Sequence, residues 1–264
     1  MTDSSACLPP GLLSRADVRV LPIDILIGDE VVTDGPDATQ RVYRAFVEDE
    51  PTKSAPPSMH AYVDAVECSE FDAAVVLTPA VEFTVMYRNA RLASATCRRH
   101  MEVVDTRTAA AGQGLVVSAA VEALAAGASA PDVAEVARQV ADRTELVALL
   151  PDLTSIQRSG HVPATSLERY DDRASQLLFR VDHGSISPLG RPNADWESWS
   201  VLFAAWLASG GSNAERTLYF HANDEAAASG FRSFLGGEEP IVEFSPAMTV
   251  HTGIGCVGVA WTRR

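Results

Sequence analysis

Four stretches of the chain carry polar groups at places where a ligand could use them. The first is Thr52-Lys53-Ser54-Ala55-Pro56-Pro57-Ser58, where hydroxyls flank two prolines. Proline fixes φ and removes a backbone donor, so the segment suits neither a helix interior nor a central strand. Ser58 is placed to cap a helix over Met59 to Glu67. The stretch therefore reads either as a stiff loop presenting hydroxyls to a ligand or as a plain connector. The second runs from Thr78 to Thr84, after the apolar run Asp72 to Leu77. A helix starting there offers orphan N–H groups and a dipole that favour an anion. Thr84 adds a hydroxyl, unless that hydroxyl bonds its own helix. The third is Asp105 with Thr106, a carboxylate at a strand end that could serve a ligand or cap the next helix. The fourth is His251-Thr252-Gly253-Ile254-Gly255-Cys256. Two glycines there permit either a close backbone approach or a tight turn before the last strand, and a lone G-x-G lacks the context of a dinucleotide loop.

Other chemistries find less support. The remaining histidines (His60, His100, His161, His183, His221) show no H-x-x-x-H spacing, and the four cysteines form no C-x-x-C pair, so no metal is expected. Ser54 and His251 with an aspartate would make a hydrolase triad, but Ser54 has no G-x-S-x-G elbow around it.

These stretches must be positioned by regular elements. Val18 to Ile27 reads as a strand with an edge or bulge at Pro22, followed by a turn at Gly28-Asp29-Glu30 and a helix ending near Phe46. Asp72 to Leu77 and Met101 to Val104 are short, nearly continuous apolar runs of the kind buried on both faces of a parallel sheet. Helices are expected over Val81 to Arg99, Ala109 to Ala126 and Pro131 to Arg143. Beyond Thr144 come a strand at Leu146 to Leu150, short helices over Asp152 to Arg158 and Thr165 to Arg173, and a hairpin turning at Asp182 to Ser185. A helix from Trp196 to Ala208, a strand Thr217 to Phe220, a helix Asp224 to Phe234 and strands Pro240 to Phe244 and Val257 to Trp261 close the chain. Alternating strands and helices predict an α/β fold in two domains, residues 1–150 and 151–264. The first would hold a mostly parallel sheet flanked by helices, and the second would be smaller.

Composition narrows the partners. With 47% apolar and 21% charged residues the chain has the make-up of a soluble globular protein. A net charge of −14 would be repelled by nucleic acid and by anionic membrane surfaces. The most apolar stretch, Thr108 to Ala130, is broken by Gln113 and Glu122 and reads as a buried helix, not a membrane span. The polar opening shows no secretory signal, and scattered cysteines suit a reducing compartment, so a cytoplasmic location is expected.

Taken in order, these stretches resemble the motifs of one family. Thr2-Asp3-Ser4-Ser5-Ala6-Cys7-Leu8-Pro9 is similar to the opening T-D-S-x-x-D-L of the DegV family of bacterial fatty-acid-binding proteins, and Val20-Leu21-Pro22-Ile23 to its V-I-P-L. Lys53 to Pro57 resembles its T-S-Q-P, Phe83 to Ala90 its L-S-G-T-Y-x-x-A, Val104-Asp105-Thr106 its V-D-S, and His251 to Gly255 its H-T-G-x-G. The order and spacing hold over essentially the whole chain.

The resemblance implies two α/β domains with a long-chain fatty acid between them, no cofactor and no catalysis in the chain itself. It further implies a separate fatty-acid kinase that phosphorylates the presented carboxylate. Carried over motif by motif, it puts Lys53, Ser54, Thr84 and His251 on the carboxylate, with Gly253, Gly255 and Asp105 in support and Arg191 as a docking residue for the kinase. Departures from the pattern are Lys53 for threonine, Thr84 for serine, Val85 for glycine, Met86 for threonine, Cys7 for aspartate and His161 for arginine. The family's first strand lies just upstream of Met1, so it is expected to be missing from the sheet or to precede this start. The other readings are a binding or scaffold protein for another small anion, and a small hydrolase. Fatty-acid binding near 15 methylenes long has the driving force, at about 0.8 kcal/mol per buried methylene.

Overall fold

The structure is a computed structural model that describes residues 1–154, 176–190 and 198–264. The first half opens with β1 (Thr2–Asp3), a short helix α1 (Pro10–Leu13) and β2 (Val20–Leu21). It continues with β3 (Asp24–Ile27), β4 (Glu30–Thr33), α2 (Thr39–Val47), β5 (Thr52–Ala55) and α3 (Met59–Glu67). Then come β6 (Ala73–Thr78), α4 (Met86–Thr96), β7 (His100–Asp105), α5 (Ala110–Ala125) and α6 (Ala130–Ala141). The second half contributes β8 (Thr144–Leu150), β9 (Leu177–Asp182), β10 (Ser185–Gly190), α7 (Ser198–Ala208) and β11 (Ala214–His221). It ends with α8 (Glu225–Leu235), β12 (Ile241–Glu243), α9 (Pro246–Thr252) and β13 (Val257–Arg263).

The strand expected over Val18 to Ile27 is two strands. Proline at position 22 cannot donate to a ladder, and the chain changes sheets there: β2 runs parallel to β1, while β3 pairs antiparallel with both β4 and β5. β6 and β7 are parallel, with Ala73 opposite His100. Hydrogen bonds from Met1 join β1 to β6, the α-amine donating to the Val75 carbonyl (2.8 Å) and the Met1 carbonyl accepting from Leu77 N–H (2.9 Å). Thr2–Asp3 thus lies between β2 and β6 as a two-residue strand. Helix α4 begins five residues later than the sequence suggests, at Met86 instead of Val81, because the chain after Pro79 first makes a turn.

Helix α5 explains how the two halves meet. Nearly every residue from Ala110 to Val121 is buried, since this helix is apolar all round and packs on both sides. Val116, Val117, Ala120 and Val121 join α6, Leu77 and Val104, while Ala110, Ala111 and Leu115 join a cluster from β8, β9 and β11. A side chain at Gly114 would collide with the carbonyls of Ala6 and Cys7 at 2.6 and 2.9 Å, so glycine is needed for the turn after β1 to seat on α5.

The second sheet has the order β10-β9-β8-β13-β11-β12, antiparallel except for the parallel β11–β12 pair. All seven residues of β8 are buried. Val147 and Leu149 pack with Leu202 of α7 and Phe231 of α8, and Leu146, Ala148 and Leu150 face the other way. The period of two thus turns a continuous apolar run into two buried faces. The expected hairpin at Asp182 to Ser185 is present, whereas the two short helices expected over Asp152 to Arg158 and Thr165 to Arg173 fall almost entirely outside the described residues.

Candidate functional site

Ser54 reaches its place through β5. Pairing with β3 sets Ser54 opposite the fully buried Ile25 and Lys53 opposite Leu26. Opposed residues in an antiparallel pair share a face, so Ser54 points inward. The segment expected as a loop is therefore a short edge strand up to Ala55, consistent with prolines only at its end. Ser58 then caps α3, its Oγ accepting from Ala61 N–H at 3.2 Å. Asn89 Nδ2 donates to the Pro57 carbonyl at 2.9 Å and ties the proline turn to α4.

His251 sits in the last turn of α9, and the tight turn expected at the two glycines follows it before β13. Its N-terminus is held firmly: Ser245 Oγ accepts from Met248 N–H (3.3 Å) and Asp34 Oδ1 accepts from Ala247 N–H (2.9 Å). Asp34 is buried, and burial pushes its carboxyl above the ordinary value of 3.8. At the other end Gly253 (φ 82°) and Gly255 (φ 93°) adopt positive φ, and Gly255 N–H donates to the Ala222 carbonyl. The glycines turn the chain from α9 into β13, and neither lines the cavity described next.

Ser54 Oγ and His251 Nε2 lie 2.8 Å apart, joining residues 197 positions apart in the chain. They border a cavity of about 410 Å³, a size suited to a small-molecule ligand. Thr84, Val85 and Met86 line it too, at the start of α4, whose first turn has no side-chain cap. Ser5 also lines it, held by Asp3, whose carboxylate accepts from Ser5 N–H (3.0 Å), from the Ser5 hydroxyl and from Gln113 Nε2 (2.8 Å). The rest of the wall is mainly apolar: Leu146, Ala148 and Leu150 of β8, Phe179 and Val181 of β9, with Phe83, Phe220 and Phe244. Cys256 lines it as well, its thiol pushed up to about 12 by burial.

Of the residues singled out in the sequence, the fold brings Ser54, Thr84 and His251 together. Lys53 requires correction: its side chain is exposed on the opposite face of β5 and does not line the cavity, because adjacent strand residues point to opposite faces. Asp105 also lies off the cavity. Its Oδ1 accepts from Arg107 N–H at 2.9 Å, and it does not cap α5, whose N-cap is Ala109. Arg191 and His161 lie outside the described residues. Sequence reasoning missed the roles of Asp3 and Asp34. The T-D-S opening was a usable signal for the first, but a partner 213 positions away left none for the second.

Chemically, two hydroxyls, an imidazole and an uncapped helix start on the lining of an otherwise largely apolar cavity offer partners for a small anion with an apolar body. The Ser–His spacing is also that of a nucleophile and its base. Among the described residues no group of three or more His, Cys, Asp or Glu could hold a metal, and no helix is long and apolar enough to cross a membrane.

A protein-family model described as "Uncharacterised protein, DegV family" matches residues 1–264. The chain belongs to the DegV family. A DegV domain-containing protein of Mycobacterium tuberculosis is 26% identical over 269 residues, covering 98% of this chain and 95% of that one. Among solved structures, a DegV family protein of Thermus thermophilus, described for its fatty-acid binding, superposes with a TM-score of 0.88 at 21% identity, covering 100% of this chain and 98% of that one. A stearic-acid-binding protein of Eubacterium ventriosum gives 0.86 at 19% identity, covering 99% and 97%. At these identities the superpositions establish the shared DegV α/β fold over the full chain.

Proposed function

We propose that this DegV family member is a binding protein for a long-chain fatty acid, without a cofactor of its own. The carboxylate sits against Ser54, Thr84 and His251, and the acyl chain fills the cavity between β8, β9 and the first half of the molecule. The observation that carries this reading is the 2.8 Å Ser54–His251 pair at the border of an otherwise largely apolar cavity. Burying about fifteen methylenes at ~0.8 kcal/mol each supplies the affinity. A carboxylate drawn into such a site must be hydrogen-bonded, which the hydroxyls and the imidazole achieve. Fatty-acid binding by the Thermus thermophilus and Eubacterium ventriosum proteins of the same fold supports the ligand class. Division into two domains with the ligand between them is part of the same reading, as is delivery to a separate fatty-acid kinase. Native mass spectrometry of the purified protein with lipid extraction tests it: a fatty-acid mass increment is expected, and a folded sample without one overturns it.

The Ser54–His251 spacing also keeps a hydrolase reading in play. Ser54→Ala separates the two. A binding protein loses affinity and never turns over a fatty-acyl ester, whereas a hydrolase shows ester turnover that the substitution abolishes.

A further inference from the structure

The two halves of the molecule are joined firmly in some places around the Ser54–His251 cavity and thinly in another. Along α5 the junction is fully buried and apolar. At α9 it is secured by the buried Asp34, which accepts from Ala247 N–H. The thin junction is at the tip of the β9–β10 hairpin, His183-Gly184, which meets the turn before α4 and the loop after β7. There Gly184 N–H donates to the Arg107 carbonyl (2.6 Å). The apolar residues on either side of this contact, Phe83 from the turn and Ile186 from β10, line the cavity but are only half-buried. Among the described strands β10 is an edge, paired with β9 alone and irregular in register after Pro188.

The tip is shaped to seat on its neighbours. Both of its residues have positive φ, 47° at His183 and 76° at Gly184, the combination that lets a two-residue loop match the twist of its strands. Loop tips of that kind ordinarily lie in solvent. Gly184 is instead buried, with the Glu82 side chain lying against it: a Cβ there would stand 2.3 Å from Glu82 Oε2. Glycine is thus required both for the backbone conformation and for the close approach. Glu82 leads directly into Phe83, Thr84 and Val85, and the hairpin carries Phe179, Val181 and Ile186, all of which line the cavity. Lifting the tip off Glu82 and Arg107 therefore parts two lining segments that belong to different halves.

We propose that the His183-Gly184 tip is a latch on the cavity, whose release opens the wall between the hairpin and the turn at 82–85 so that an apolar chain enters or leaves sideways. A chain that fills about 410 Å³ touches both halves at once, and a line of entry between the halves spares it from threading lengthwise. Junctions with few buried apolar contacts and exposed neighbours open at the lowest free energy, which favours this one over α5 and α9. The identity of the chain rests on the fatty-acid reading, and the latch does not.

Cys256 reports the state of the cavity directly. It lines the cavity and is buried, as is Cys7, which does not line it. In a Cys68→Ser, Cys97→Ser background, labelling by methyl methanethiosulfonate is followed by peptide mass spectrometry at the two remaining thiols. Gly184→Val cannot hold the tip's φ without strain or clear Glu82, so it should speed Cys256 labelling about tenfold while Cys7 keeps its wild-type rate. Glu82→Ala changes an exposed residue, keeps the fold, and should speed Cys256 labelling about threefold. Unchanged Cys256 labelling in both variants overturns the latch. An equal rise at Cys7 and Cys256 overturns it too, because that marks loosening of the whole fold. Thiol labelling involves no fatty acid, so this proposal and the ligand reading fail separately.

Discussion

The apolar and polar parts of the Ser54–His251 cavity lining are built by different means. Its apolar wall comes from the interior of β8 and β9, where alternate residues of long, fully paired strands face inward. Its polar groups come from a sheet edge and from element ends: Ser54 on the edge strand β5, Thr84 in the turn before α4 and His251 in the last turn of α9. Strand interiors offer a regular surface that neighbouring strands hold rigid. Element ends offer unpaired donors and side chains that can converge from distant parts of the chain. The wall is therefore suited to supply affinity, and the ends to choose the head group.

That division can be broken from either side, and the expected effects fall in order. Ala148→Trp fills the cavity from the wall. Displacing about four methylenes at ~0.8 kcal/mol each should lower long-chain fatty-acid affinity by roughly 100-fold or more while shorter acids still bind. Isothermal titration with acids of graded length checks this, and a uniform loss at all lengths would contradict it. His251→Ala acts on the polar end and should cost about 10- to 100-fold for the acid, with little change for the matching fatty alcohol. Ser54→Ala or Thr84→Val should each cost about tenfold by the same measurement. If acid and alcohol weaken equally, the head group is held elsewhere.

Asp34 sharpens the comparison because it acts on the polar end from outside. Asp34→Ala removes a partner of the α9 N-terminus and should cost about 1–2 kcal/mol of stability in denaturant titration. Asp34→Asn can keep a carbonyl oxygen for Ala247 N–H. Burial raises the folded-state pKa of Asp34 above its ordinary 3.8, so the folded state holds the proton more tightly than the unfolded chain. Wild-type stability from this group is then highest below 3.8 and falls as pH rises through the raised value. The asparagine variant lacks that fall, so its stability relative to wild type should improve from acid toward neutral pH. Lys53→Ala should change fatty-acid affinity least, by less than about twofold, since an exposed charge is screened by solvent.

Much of the fold was legible in the sequence because it rests on local rules. Continuous apolar runs at Asp72 to Leu77 and Leu146 to Leu150 marked strands buried on both faces, and Ser58 and Asp224 announced helix starts that the structure shows as side-chain caps. Boundaries failed where a local rule met a competing one. Helix α4 begins at Met86 because a turn takes the residues after Pro79, and Pro22 divides one apolar stretch between two sheets.

At the site, residue chemistry was readable and direction was not. The sequence by itself determined that a serine, a threonine and a histidine lie at the margins of regular elements, in an order shared with the DegV family. Only the tertiary structure decided that Ser54 faces inward while Lys53 faces out. The pleat alternates sides at every residue, and the register of β5 on β3 chooses between them. It also decided that His251 belongs to a helix secured by Asp34, because that hydrogen bond spans most of the chain and leaves no trace in local spacing. Contacts between residues some two hundred positions apart arise only once both sheets have packed around α5.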